Sequence, residues 1–105
     1  ALLSAGQKQL LVLARLLLRR GAARLVLLDE AAAGMEQQEG MRLHGVVREQ
    51  LSHEAASIAV THMLLPSLHL FSRVLVFASG SCVEDGAPGE LLRRGRGELH
   101  ELFEQ

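Results

Sequence analysis

Apolar residues recur at helical spacing over residues 7–20, where Leu10, Leu13, Ala14 and Leu17 alternate with a more polar side carrying Lys8, Arg15 and Arg19. The spacing predicts a helix with one buried face, ended by Gly21. Residues 24–28 (Arg24-Leu25-Val26-Leu27-Leu28) then run apolar without alternation into two acids, the pattern of a strand buried on both faces and paired in parallel. A second helix is predicted over residues 36–51, with Leu43, Val46, Val47 and Leu51 inward and the glycines at 40 and 45 weakening it. Ser57-Ile58-Ala59-Val60-Thr61 reads as a second buried strand ending at His62. A short helical turn over residues 64–71 leads to Val74-Leu75-Val76-Phe77, and Gly80 turns that strand into Cys82-Val83-Glu84 as a hairpin. Pro88 suits the first position of a helix through Arg94, and residues 98–104 form a closing amphipathic helix. Strand and helix alternate without internal repeats, which predicts an α/β layered domain.

The length of 105 residues, 49% hydrophobic, allows one modest core and argues against two domains. A net charge of −1 lacks the basic excess of a nucleic-acid footprint, so nucleic acid is not an expected partner. The longest apolar stretch, residues 10–18, is broken by Arg15 and falls short of the roughly 20 residues of a membrane span. The single cysteine, Cys82, has no partner within the chain for a disulfide, which fits a reducing compartment. Ala1 precedes the first motif by only three positions without an initiating methionine, giving the expectation of a cut through a longer protein.

Three short motifs carry candidate chemistry. In Leu3-Ser4-Ala5-Gly6-Gln7, Ser4 and Gln7 have the S-x-x-Q spacing of a capping box. The same helix start, with a hydroxyl and a glycine that allows close backbone approach, is also suited to a phosphate. Asp29 and Glu30 close an apolar strand, where open α/β sheets bind ligands. Adjacent carboxylates there suit a hard cation such as Mg²⁺ and the orientation of a nucleophile, although a solvated strand end explains them as simply. His62 closes the second strand, and an ordinary surface histidine is the plain alternative to a catalytic one.

Taken in order, these motifs resemble the signature sequence, the Walker B strand with its following glutamate, and the switch histidine of ATP-binding-cassette transporters. The hairpin and the proline-started helix at Pro88 resemble the tail of exporter cassettes, so the resemblance covers essentially residues 1–105 as one partial nucleotide-binding domain. It implies a layered sheet with flanking helices like that of P-loop NTPases, incomplete because no G-x-x-x-x-G-K-[ST] loop, strand or helix is present. The glutamine loop that precedes the signature in the family is also absent.

By the same resemblance, Glu30 polarises the attacking water, His62 contacts the γ-phosphate and Asp29 helps to hold Mg²⁺. Ser4, Gly6 and Gln7 engage ATP held by a second nucleotide-binding domain. The implied partners are that domain and the transmembrane domains of a transporter, at the cytoplasmic face of a membrane. Glu36 stands where the family usually has an aspartate, and Ala32 replaces a usual hydroxyl residue. Two other readings compete: a non-catalytic fragment or degenerate cassette serving as a binding or structural piece, and a cassette ATPase of chromosome maintenance. The tail after His62 disfavours the latter.

Overall fold

The computed structural model of the chain describes residues 2–51, 53–62 and 66–104, and these divide into two compact units at residues 67 and 68. Each unit has its own buried apolar residues. Within the first unit, helix α1 (Ala5–Leu18) is followed by strand β1 (Leu25–Asp29), helix α2 (Gln37–Gln50) and strand β2 (Ala56–Val60). The strands pair in parallel with Leu25 opposite Ala56 and Asp29 opposite Val60, an arrangement that needs a crossover such as α2 to return the chain to the same end.

Leu13 of α1 and Leu43, Val47 and Leu51 of α2 form a core with Val26, Leu28 and Ala55, joined at its margin by Leu16, Leu17 and Val46. Burying each large aliphatic side chain contributes roughly 1.5–3 kcal/mol. The predicted stripe on α1 is corrected here: Leu10 and Ala14 are exposed, and Leu16 takes part instead. Strand burial also departs from expectation. Along β1 only Val26 and Leu28 are buried, while Leu25 and Leu27 on the opposite face are exposed, as are Ile58 and Val60 of β2. Both helices contribute to the core on one face of the sheet, so a run of consecutive apolar residues does not become a strand covered on both sides. Gly40 has a positive use, since a Cβ there would lie 3.3 Å from the Ala32 methyl, and its absence lets α2 approach the loop after β1.

His44 and Ser67 are buried polar residues, 4% and 0% exposed, with Nδ1 and Oγ 2.9 Å apart. Burial lowers the His44 pKa from its ordinary 6.5, because a charged imidazolium would lose its hydration there. A base whose pKa is depressed by folding stabilises the fold fully above its unfolded value and progressively less as pH falls from 6.5 toward the folded value. The urea midpoint of the folded protein is therefore expected to drop between pH 7.5 and 5, with a shallower drop in His44→Gln. Equal slopes in the two proteins would assign the acid sensitivity to other groups.

In the second unit, strands β3 (Val74–Ala78) and β4 (Ser81–Gly86) form an antiparallel hairpin. Its two-residue turn places Ser79 and Gly80 at φ 51° and 80°, the geometry that matches the strand twist. Val83 is the extra residue of a bulge, and Arg73 holds Asp85 through two 2.7 Å bonds. Helices α3 (Pro88–Arg93) and α4 (Glu98–Glu104) follow, burying Leu91 and Leu99. Glu84 accepts a 2.8 Å bond from the Leu99 amide at the start of α4. Gly97, at φ +101°, is required beside it because a Cβ would come within 2.7 Å of the Glu84 carboxylate.

The predicted elements are thus present, with a 3₁₀ helix over Pro66–Leu70 where a turn over 64–71 is expected; the first two of those positions lie outside the described residues. The chain is mixed α/β, and among the described residues β1 and β2 form one two-stranded sheet and β3 and β4 another, in place of the single layered sheet expected.

Candidate functional site

The parallel register brings the C-terminal ends of β1 and β2 together. Its ladder continues one residue past β1, where the Glu30 amide donates to the Val60 carbonyl at 2.8 Å. Glu30 then leaves extended geometry for φ +54°, a left-handed conformation costing a non-glycine residue about 1–2 kcal/mol. In this turn its carboxylate meets His62 twice: Oε1 accepts from the His62 backbone amide at 3.0 Å and lies 2.6 Å from Nδ1. These bonds offset the local strain and hold the two side chains at one spot while leaving both accessible to solvent, with His62 74% and Glu30 32% exposed.

The His62 ring is the main reason that the Glu30 pKa lies below the ordinary carboxylate value, with the Thr61 hydroxyl adding a smaller pull. Glu30 is therefore an anion at neutral pH. With the carboxylate accepting at Nδ1, that nitrogen carries the hydrogen, so the tautomer is set by Glu30 and Nε2 is the ring atom available to a ligand. The bonds to His62 use part of the roughly four lone-pair positions of a carboxylate, and the rest can order a water.

Asp29, opposite Val60, is exposed at the end of β1. Among the described residues no group of three His, Cys, Asp or Glu side chains forms a ready metal cage. A lone carboxylate at a strand end fits a cation such as Mg²⁺, which keeps several waters and takes the rest of its oxygen ligands from phosphates.

The other three predicted residues form a second cluster at the start of α1. Ser4 Oγ accepts from the Gln7 amide at 3.1 Å, and Gln7 Oε1 accepts from the Ser4 amide at 2.9 Å, a complete capping box. The Ser4 hydroxyl hydrogen and the Gln7 side-chain NH₂ remain as donors beyond those two bonds. Gly6 is buried, and the hydrogen bonds of Ser4 and Gln7 are with each other rather than with Glu30 or His62.

Sequence reasoning does not find two features of these clusters. The left-handed backbone of Glu30 has no local signal, because glutamate is not a residue that favours it. The packing of Gly34, Met35 and Glu39 along the first turn of α1 joins residues about thirty positions apart, beyond the reach of any short motif.

No family model matches the chain. Among curated proteins it is 36% identical over 100 residues to the multidrug resistance protein fer6 of Mycosarcoma maydis, an alignment taking in 95% of this chain. It is 34% identical over 93 residues to the ATP-binding cassette transporter abc1 of Schizosaccharomyces pombe, covering 89% of this chain and 6% of that protein. Over 100 residues it is 30% identical to the ABC transporter ATP-binding protein/permease VMR1 of Saccharomyces cerevisiae, again 95% of this chain. The chain spans only 7% of the length of the first of these relatives and 6% of the other two.

Proposed function

We propose, from the premise that this chain belongs to the ATP-binding-cassette transporter family, that it is the part of a nucleotide-binding domain running from the signature motif onward and works in ATP-driven transport across a membrane. The observation that carries this reading is the Glu30–His62 pair at the joined ends of two parallel strands, beside Asp29.

Each residue then has a role that its geometry suits. Glu30, anionic and held by His62, orients a water for in-line attack on the γ-phosphorus. His62 turns Nε2 toward the γ-phosphate while Nδ1 is engaged by Glu30. Asp29 would hold Mg²⁺, which would supply neutralisation of phosphate charge when bound. Ser4, Gly6 and Gln7 present a hydroxyl, a backbone free of a side chain and an amide at the positive end of α1, to ATP carried by a second nucleotide-binding domain. The groups that cradle the α- and β-phosphates come from sequence outside this chain. None of the described helices is long and apolar enough to cross a membrane, and in this reading the membrane-spanning domains also come from the parent protein, with this part at the cytoplasmic face.

Action of α1 on the opposing nucleotide separates this reading from a plain helix cap. In the full-length nucleotide-binding domain, Ser4→Arg or Gly6→Asp is expected to leave ATP binding to a single domain within about twofold, yet to abolish ATP-dependent pairing of two domains. Calorimetry on the single domain and sedimentation of the pair measure the two effects. Loss of ATP binding to the single domain would reject action across the interface.

A further inference from the structure

We infer that Glu39 weakens the grip of the α1 N-terminus on phosphate, acting as an electrostatic counterweight beside the site. The inference rests on the reading of α1 as a phosphate-binding helix start. Gly6 is the second residue of α1, in the turn whose amides lack partners within the helix. A Cβ on Gly6 would lie 3.2 Å from Glu39 Oε2 and 3.4 Å from Met35 Cγ, so the glutamate carboxylate is packed against the first turn of α1 at Gly6.

Glu39 also lies in the first turn of α2, where an acid is favoured by that helix's own dipole. One carboxylate therefore lies near the positive ends of two helices, its own and one 33 positions earlier in the chain. The first turn of α1 contains no acid of its own, and Glu39 is a negative charge that tertiary folding brings to it. A phosphate of the same sign arriving at Ser4 and Gly6 shares the α1 dipole with that charge and is repelled by it. In the loop preceding α2, a Cβ on Gly34 would lie 3.7 Å from that of Ala5, an ordinary contact that places this loop beside the first turn of α1.

The test uses the full-length protein with Mg-ATP and follows KM and kcat for ATP hydrolysis at low and high salt. Glu39→Gln keeps the shape and removes the charge, and is expected to lower KM roughly two- to fivefold, with kcat moving less. Raising the salt should shrink the difference from wild type by screening it, and Glu39→Asp, with its shorter reach, should fall between the two. A role in helix stability alone would lower the melting temperature without lowering KM. Should Glu39→Gln fail to fold, Glu39→Asp carries the test with a drop in the same direction. An unchanged or raised KM in the variant that folds overturns the inference. Ser4→Ala separates the two levels: if it raises KM while the Glu39 variants do not lower it, only the inference about Glu39 falls. If Ser4→Ala leaves KM where it was, the phosphate reading of α1 falls.

Discussion

Glu30→Gln in the full-length protein is expected to slow ATP turnover by roughly 100-fold or more while changing ATP affinity by less than about threefold, because orientation of the attacking water matters chiefly in the transition state. Glutamine is nearly isosteric and can still accept the bonds from the His62 amide and Nδ1 through its carbonyl oxygen, so the turn at φ +54° is expected to survive. The negative charge does not survive, and with it goes the ability to polarise water. Asp29→Asn should behave differently, since its loss weakens the hold on Mg²⁺ and so raises the Mg²⁺ concentration needed for ATP binding. Single-turnover hydrolysis and a Mg²⁺ titration of ATP binding distinguish the two variants. Equal loss of ATP binding in both would mean that the neighbouring carboxylates do not divide the work.

The second large effect concerns the uncovered face of the β1–β2 sheet. Leu27 is 66% exposed and Ile58 54% exposed, side by side in the parallel register, with Leu25 and Val60 on the same face. Among the described residues, β1 and β2 are also each hydrogen-bonded to a neighbouring strand on one side only, the arrangement of an edge. In the resembled fold a P-loop strand and the helix after it pack on this sheet, and in that reading they would cover apolar residues that have no cover among the described residues of the first unit. The 105-residue chain expressed alone is therefore expected to self-associate, and to become monomeric when a fragment carrying the P-loop strand and helix is supplied. Substitution gives a sharper contrast. Leu27→Ala should cost less than about 1 kcal/mol in the chain alone, as at an exposed position, but roughly 2–5 kcal/mol in the full-length domain, as in a core. Sedimentation with and without the fragment and denaturant unfolding of both forms measure this. A monomeric, cooperative transition from the chain alone, unchanged by the fragment, would show that the exposed face needs no cover.

The sequence by itself determined the elements and the motif residues. Helical spacing of Leu13 and Leu17, the Ser4–Gln7 box, Pro88 at a helix start and Gly80 at a turn are local signals, and local backbone preference was enough to realise them. Tertiary structure decided three things that local preference cannot reach. It decided that the apolar runs of β1 and β2 are covered on one face only, because cover depends on which helices the chain supplies and not on the strand's own composition. It decided that Glu30 and His62 form a hydrogen-bonded pair, since residues 32 positions apart meet only when parallel register aligns the two strand ends. It also decided that Glu39 lies against Gly6, because that approach depends on how α1 and the start of α2 pack, and the absent Cβ of a glycine records a neighbour without naming it.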